Sequence, residues 1–564
     1  MRTVLPKIVS FGIAGIFFAA TAFAEPPSQP QSPAPTSNPR AATIPLYPGL
    51  GDVHHPVITS SPLAQKYFDQ GLAFAYGFNH DEAERSFDRA AQLDPHMAMA
   101  YWGSAWVLGP NYNSPGNIEA SRKAYGALKS ARALEGGATP EERDLIEALA
   151  RRYGARGDNT AARGQAYADA MRAVAHRYPN DLDVQTIFAE SLMDLHPWQL
   201  WDRDGKPGPN TIEIVTTLET VLKKDPNHLG ANHYYIHAVE ASRDPGRATA
   251  SADRLAAMAP GAGHLVHMPS HIYIRTGRFH DSVLANENAI NADETFLAAS
   301  HETGMYPLMY LTHNIQFLCY SEMAEGSGRQ ALETARALEA RVPLDAVRTM
   351  PMMEFLVPVP YFVEARFEMW DAILKEPAPP KDLLYTSAMW HYARGLAFTA
   401  RGYKSEAERE RADLAAIIAA TPPTRPLGAN GHARDVSELA AAILDGAMAS
   451  AAGDHASAAA RYDDAVRRED AIPYSEPPTW YFSVREALGA ELLALERNRQ
   501  AEDVFKKDLA ANPGNPRSLY GLSQSLAAQG KAAEAARVNK RFKREWRYAD
   551  STPPPMRFAI SGAN

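Results

Sequence analysis

A repeated pair of histidines constrains the fold of this chain more than any other feature. His233 and His237 are four residues apart, and the same pair recurs at His267 and His271. Residues at positions i and i+4 share one face of a helix, so each pair presents two imidazoles on the same side. The offset between the pairs matches the period of about 34 residues that is typical of a helix–turn–helix unit stacked into a solenoid. The two pairs are therefore predicted to occupy equivalent places on neighbouring repeats.

A second pattern supports this period near the beginning of the chain. Between Ala64 and Met97, small and aromatic residues recur at fixed spacings before a proline: Tyr67, Gly71, Phe74, Ala83, Phe87, Ala90 and Pro95. Gly and Ala let two helices cross closely, aromatic rings fill the gap, and Pro ends the second helix. Similar units follow in the C-terminal half. In the centre, units are predicted to begin near Leu229, Gly263 and Thr312.

On these residues the chain resembles the tetratricopeptide repeat family over nearly all of its mature length. The resemblance implies an all-α, right-handed solenoid of about ten helix pairs. It also implies that the first helix of each unit lines a concave groove. The stretches 78–80, 109–111, 233–237 and 264–271 are similar to a group of exported bacterial repeat proteins. That group implies no particular reaction.

The N-terminus has the pattern of a secretory signal peptide. Arg2 and Lys7 precede an apolar run that ends in Ala22-Phe23-Ala24, so residues 1–24 are expected to be removed by cleavage after Ala24. Residues 25–48 are rich in Pro, Ser and Ala and are expected to form a flexible linker. No later stretch is apolar for long enough to span a membrane. We therefore expect an exported protein, either periplasmic or secreted.

The rest of the chain is predicted to divide into three blocks of repeats. These are N-terminal units at 49–228, histidine-rich central units at 229–345 and C-terminal units at 346–564, with insertions at about 197–209 and 297–311.

A formal charge of −9 without a basic stripe argues against nucleic acid as the partner. Cys319 is the only cysteine, which excludes an intrachain disulfide and a thiolate-rich metal site.

Histidine is concentrated in the central repeats. Nine of the eighteen histidines lie between residues 228 and 313, where an even distribution would place roughly three. On the family's register, the groove positions hold His233, His237, His264, His267, His271, His313 and Glu240. Adjacent helices pack about 8–10 Å apart, so imidazoles on facing sides can meet on one ion at about 2.0–2.1 Å. These seven residues are the predicted metal ligands.

The sequence favours an exported protein that binds a transition metal through this cluster, for metal handling or metal-assisted chemistry. Imidazole donors suit copper, zinc or iron, and the spacing does not select among them. His233 and His237 have the spacing of a zincin motif, but Tyr234 stands where that motif has its catalytic Glu. If the protein is an enzyme, open coordination positions would activate water or dioxygen, assisted by Glu240, Tyr234 or Tyr273.

Two alternatives stay open. In the first, the protein is a scaffold that binds a peptide or partner protein in the groove, and the histidines are polar lining. In the second, the histidines are purely structural. His301 also follows His267 at the repeat spacing, yet the next unit begins near Thr312. His301 therefore falls in the insertion and is not counted among the predicted ligands, although it could still fold over the groove as a lid ligand.

Overall fold

The structure is a computed structural model that describes residues 44–157 and 161–550. These residues form an almost wholly helical fold of successive helices, which confirms the predicted all-α class. Within the same ranges the only sheet is a short antiparallel pair, β1 (Pro426–Leu427) with β2 (Gly431–His432). No helix in this part of the chain is both long enough and apolar enough to cross a bilayer.

The helices follow one another through three blocks of the chain. The N-terminal helices are α1 Pro62–Tyr76, α2 His80–Leu93, α3 Ala98–Val107, α4 Ile118–Ala133, α5 Pro140–Leu149, α6 Ala161–Arg177, α7 Leu182–Met193 and α8 Thr211–Lys224. The central helices are α9 Leu229–Val239, α10 Thr249–Met258, α11 Gly263–His267, α12 Pro269–Thr276, α13 Phe279–Ser300, α14 Thr312–Glu325 and α15 Gly328–Arg341. The C-terminal helices are α16 Leu344–Thr349, α17 Val359–Arg366, α18 Trp370–Ile373, α19 Leu384–Ala400, α20 Lys404–Ala420, α21 Ala433–Ala451, α22 His455–Ala471, α23 Arg485–Ala494, α24 Asn498–Ala511, α25 Pro516–Ala528 and α26 Ala532–Glu545. Short 3-10 turns cover Glu135–Gly137, Pro245–Ala248 and Pro351–Leu356, and a π-helix covers Tyr306–Leu311.

Glycine against a large aromatic ring is the recurrent contact between neighbouring helices. A Cβ added to Gly71 in α1 or to Gly103 in α3 would lie 2.6 or 2.5 Å from the Phe87 ring of α2. The same arrangement recurs around Phe505 of α24, with glycines of α23 and α25. These distances leave no room for a side chain, so glycine is required where three helices meet around one ring. The alternation of small and aromatic residues in the sequence is thus confirmed as helix packing.

Capping residues set several of the helix boundaries. The Ser61 side chain accepts a hydrogen bond from the Ala64 amide at the start of α1. Thr139 and Glu142 form a reciprocal capping box at the start of α5, each side chain accepting from the other's backbone amide. Such side chains satisfy amides that the first turn of a helix leaves without partners.

The central repeats begin where the sequence predicts. Helix α9 begins at Leu229, α11 at Gly263 and α14 at Thr312. The insertion at about 297–311 is present as an extension of α13 to Ser300 and as the π-helix that leads into α14. The predicted register of the histidine-bearing helices is therefore correct.

One feature of the second histidine pair differs from the prediction of a continuous helix. Pro269 separates α11, which ends at His267, from α12. Proline has no amide hydrogen and its ring clashes with the preceding turn, so it interrupts the helix. The His271 amide bonds instead to the Met268 carbonyl, at 3.2 Å. Despite this interruption, the rings of His267 and His271 still meet, with centroids 4.9 Å apart.

The described chain begins with an extended segment, 44–61, that packs on the first repeat. Ile44 and Leu50 are buried. The centroid of the Tyr47 ring lies 5.6 Å from that of Phe74 and 5.3 Å from that of Phe296. Residues 44–48 of the predicted linker are therefore ordered against the helices. The predicted signal peptide and residues 25–43 of that linker lie outside the described residues.

Distant parts of the chain also meet. Trp198, in the insertion at about 197–209, accepts a hydrogen bond from Asn430 at its carbonyl oxygen, and its ring stacks on Tyr112. At the end of α12, the backbone of Gly277 packs directly against Pro513 and Gly514. These contacts join the C-terminal repeats to the N-terminal block at Trp198 and to the central repeats at Gly277.

We expect Gly103→Ala to lower the free energy of unfolding by about 1–3 kcal/mol, because the added methyl group collides with the fully buried Phe87 ring. Gly126→Ala is the matched control. This glycine is exposed within α4, and a Cβ there meets nothing within 4 Å. Because alanine favours a helix more than glycine does, the change should raise the free energy of unfolding by about 0.5–1 kcal/mol. Urea unfolding followed by tryptophan fluorescence measures both. Equal effects of the two changes would contradict the packing role of Gly103.

Candidate metal centre

Three consecutive repeats bring the six predicted histidines together. Helix α9 carries His233 and His237, α11 carries His264 and His267, α12 carries His271, and α14 carries His313. The first five side chains are at most 2% exposed, and the sixth is half-buried. The six rings form a continuous group in which each is in contact with at least two others.

His233, His237 and His264 form the first cluster. One ligand nitrogen of each lies within 4.8 Å of those of the other two. Between ring centroids, His233 lies 4.9 Å from His237 and 5.0 Å from His264. Nitrogens this close can converge on a single ion at about 2.0–2.1 Å with small side-chain movements.

Hydrogen bonds on the outer nitrogens of this cluster fix the direction of the inner ones. His233 Nδ1 donates to the Tyr76 carbonyl oxygen, and His237 Nδ1 donates to Glu240 Oε1 over 3.0 Å. A carbonyl or carboxylate oxygen can only accept, so both rings carry a proton on Nδ1 and a lone pair on Nε2. Both Nε2 atoms are buried without a hydrogen-bond partner, as are both ring nitrogens of His264. Metal-binding histidines are held in this way, with the second nitrogen bonded to an acceptor.

His267, His271 and His313 form the second cluster, again with ligand nitrogens within 4.8 Å of one another. His267 Nδ1 donates to Asn286 Oδ1 over 2.7 Å. The Asn286 amide donates to oxygens of two neighbouring serines, which fixes Oδ1 as the acceptor. His267 Nε2 therefore keeps its lone pair, and it lies 2.9 Å from His271 Nε2.

Glu240 lies between the two clusters and holds one histidine of each. Its Oε1 accepts from His237 Nδ1, and its Oε2 accepts from His271 Nδ1. Burial opposes ionisation, but the charge of His271 and the hydrogen bonds from both histidines outweigh it and lower the pKa of Glu240 to about 2. The sequence predicts Glu240 as a ligand, and its oxygens do lie within 4.8 Å of both histidines. The structure places them on the outer nitrogens, where they orient the ligands.

Glu476 is a residue of this site that sequence reasoning missed. It is buried in the proline-rich segment before α23, and its Oε2 lies 3.0 Å from His271 Nδ1. Burial opposes protonation of His271, but Glu240 and Glu476 overcome that effect and raise the pKa of His271 to about 10. No spacing connects Glu476 to the histidines, so the sequence holds no local signal for it.

The surroundings of the other five imidazoles favour their neutral form. Burial is the main cause that lowers the pKa of His233, His237, His264, His267 and His313, the last to about 3. Neighbouring imidazoles lower each of these pKa values further, because two positive charges repel each other at such distances. Neutral imidazole is the form that binds metal ions.

Four aromatic rings enclose the two clusters. Phe78 contacts all three rings of the first cluster, at centroid distances of 4.6, 5.8 and 5.9 Å. Phe317 contacts all three rings of the second, at 4.7, 4.7 and 5.0 Å. Tyr112 and Tyr310 cover two rings of the first cluster at 5.1 and 4.7 Å. We call the six histidines and these four rings the histidine chamber. Its rings are covered, unlike the concave groove wall that the sequence predicts, because Phe78 and Tyr112 in loops and Tyr310 in the π-helix lie over them.

The remaining histidines of the central repeats have other surroundings. His301 is exposed at the end of α13, with a φ of 53°. The His280 ring stacks on Tyr548 at 3.5 Å, and His228 lies 3.2 Å from Asp183. The exclusion of His301 from the ligands therefore agrees with its position.

Known proteins offer only a distant likeness to this chain. No family model matches it, and no curated protein matches it. Among solved structures, a human IFIT1 dimer with m7Gppp-AAAA is 12% identical over 86% of this chain and 91% of that chain, with a TM-score of 0.29. The APC/C hetero-tetramer Cut9–Hcn1 is 12% identical over 82% of this chain and 76% of that chain, with a TM-score of 0.31. Likeness at this level carries no information about what this chain binds.

We expect leucine at His264 and at His271 to have opposite effects on the metal-free protein. His264→Leu removes two buried nitrogens that have no partner, so the free energy of unfolding should rise by about 1 kcal/mol. His271→Leu leaves Glu240 and Glu476 without their common partner, so the free energy of unfolding should fall by about 3–5 kcal/mol. Urea unfolding in the presence of a chelator measures both changes. A similar fall in both variants would contradict the assigned hydrogen bonds.

Proposed function

We propose that this protein binds transition metal ions in the histidine chamber, one at each three-histidine cluster. The observation that carries the proposal is that His233, His237 and His264 each offer a ligand nitrogen within 4.8 Å of the others, while the Nε2 atoms of His233 and His237 are buried without a partner. Their outer nitrogens are already occupied by acceptors. The ions would serve metal handling or metal-assisted chemistry.

A bound ion would remove a free-energy cost that is built into the first cluster. A buried polar atom without a partner costs about 1–3 kcal/mol. Four ring nitrogens of the first cluster are in that state. Histidines with a purely structural role are expected to have their buried nitrogens hydrogen-bonded. The unpartnered nitrogens therefore favour metal binding over the structural alternative.

The donor set limits which ions fit. Imidazole nitrogens suit copper, zinc and iron, whereas magnesium and calcium prefer oxygen ligands. Cys319 supplies no ligand, since its buried thiol donates to the Ala331 carbonyl oxygen. Three protein ligands per ion leave coordination positions for water or another small molecule, as in catalytic sites. The arrangement is therefore compatible with chemistry on a small ligand as well as with transport or storage.

We further propose that the protein works outside the cytoplasm, in the periplasm or as a secreted protein. The proposal rests on the signal-peptide pattern of residues 1–24. An exported histidine site would meet copper and zinc without competition from cytosolic thiols.

A scaffold that binds a peptide or partner protein is the alternative function. A peptide groove requires an accessible surface, and the six histidines are enclosed by aromatic rings instead. The histidines therefore fit ion binding better than peptide binding. Partner binding that is insensitive to chelators and to histidine substitution would favour the scaffold.

Metal content tests the proposal directly. After reconstitution with copper or zinc and removal of excess ions, we expect the wild type to hold two ions per chain. His233→Ala/His267→Ala removes one ligand from each cluster and should abolish both ions, as measured by inductively coupled plasma mass spectrometry. His301→Asn is the matched control, because His301 shares the repeat spacing but is exposed, and Asn tolerates its positive φ. A wild type without bound ions would contradict the proposal.

Glu240→Gln should weaken the binding of both ions by about 10–100-fold, because an amide orients the two imidazoles less well than a carboxylate. Competition with a chelator of known affinity measures the loss. Glu354→Gln is the control, since Glu354 is an equally buried carboxylate that bonds to Thr386 and Arg425 outside the chamber. Equal losses in the two variants would show general destabilisation and would contradict an orienting role for Glu240.

A further inference from the structure

We propose that the two clusters form a single dinuclear copper centre, which binds dioxygen between its two ions and reduces it. The inference rests on the proposed function, since it requires one ion in each cluster. It adds the identity of the metal, the joint action of the two ions, and the small molecule that they bind.

The two clusters are as close to each other as their members are among themselves. Between clusters, the rings of His237 and His271 lie 5.3 Å apart, and those of His264 and His267 lie 5.8 Å apart. Within the clusters, contacting rings lie between 4.8 and 6.4 Å apart. Ions held at about 2.0–2.1 Å from these nitrogens must be neighbours. Ions in two-metal sites lie about 3.5–4 Å apart, a separation that a diatomic molecule can bridge.

The donor set selects copper among the metals that react with dioxygen. Iron pairs in helical proteins are held largely by Glu side chains, with histidine as a minor ligand. Here six imidazoles supply the ligands, and the nearby carboxylates of Glu240 and Glu476 lie on the outer nitrogen of His271. Neutral imidazole is a good ligand for copper in both of its common oxidation states.

The buried charges also match two copper(I) ions. Glu240 and Glu476 are buried at 0% and 4% exposure, and they carry two negative charges when both are ionised and His271 is neutral as a metal ligand. Two copper(I) ions balance these charges. Two zinc(II) ions would leave two positive charges in excess within an aromatic enclosure, where an uncompensated charge is costly. The positive charge of Arg275 also acts on Glu476, where it lowers the pKa. Arg275 is half-buried, and it donates hydrogen bonds to backbone carbonyl oxygens outside the chamber.

The enclosure limits the ligand to a very small, uncharged molecule. Five of the six imidazoles are at most 2% exposed, and Phe78 and Phe317 cover all six rings. A bulky substrate has little access to the ions, since only His313 among the six ligands is partly exposed. Dioxygen is diatomic and apolar, so passage between aromatic side chains costs it little desolvation.

The reduction balances without any further reactant. Each copper(I) gives one electron and forms one bond to an oxygen atom, and both ions become copper(II). The oxygen–oxygen bond order falls from two to one, which yields a peroxide dianion held between the ions. No proton is taken up, and the net charge of the centre is unchanged.

The full-length protein, freed of metal and loaded with copper(I) under argon, tests this inference. We expect two copper ions per chain by mass spectrometry, and uptake of one dioxygen per chain when air is admitted. The oxidised centre should give no copper(II) signal in electron paramagnetic resonance, because the two unpaired spins couple through the bridging ligand. His267→Ala/His313→Ala keeps only the first cluster, so it should bind one copper and give an ordinary copper(II) signal once oxidised chemically.

The possible outcomes separate the two proposals. Two bound copper ions that take up no dioxygen, or that give signals of isolated copper(II), would overturn the dinuclear centre and leave metal binding intact. Fewer than two copper ions in a wild type whose circular dichroism shows a folded chain would overturn the dinuclear copper centre, and fewer than two ions after loading with zinc as well would overturn both proposals. Two copper ions, one dioxygen and no signal, together with the ordinary signal of the half-site variant, would support the inference.

Discussion

The carboxylate of Glu240 is the interaction on which the geometry of the histidine chamber depends. It accepts one hydrogen bond from His237 in α9 and one from His271 in α12, and it is itself fully buried. A buried carboxylate with only one of these donors would be poorly compensated, so the two histidines and the two helices must keep their relative positions. This constraint directs the remaining nitrogen of each ring inward. It also makes the two clusters a single unit.

The repeat architecture explains why there are two clusters. Glycine and aromatic rings set the close packing of successive helices, as around Phe87 and Phe505, and this packing returns an equivalent helix once in every repeat. A pair of histidines copied at that period therefore faces its counterpart on the next repeat. The loops do not follow the period. They supply Phe78 and Tyr112, and the π-helix supplies Tyr310; these three rings cover the imidazoles of the first cluster.

Periodic features of this protein were predictable from the sequence, and non-periodic ones were not. The starts of α9, α11 and α14 and the grouping of the six histidines all follow from the repeat spacing. The break at Pro269 was visible in the sequence, but its small effect on the two rings depends on packing. Glu476 and the covering rings reach the chamber through contacts between distant parts of the chain. No local pattern encodes those contacts, so the sequence predicts a concave groove where the structure has imidazoles covered by aromatic rings.

Anomalous diffraction from crystals of the copper-loaded protein, recorded at the copper absorption edge, tests the central claim most directly. The account predicts two peaks per chain, about 3.5–4 Å apart. One should be bonded to His233, His237 and His264, and the other to His267, His271 and His313. Peaks confined to surface residues, or imidazoles that remain without an ion in a copper-saturated crystal, would contradict it.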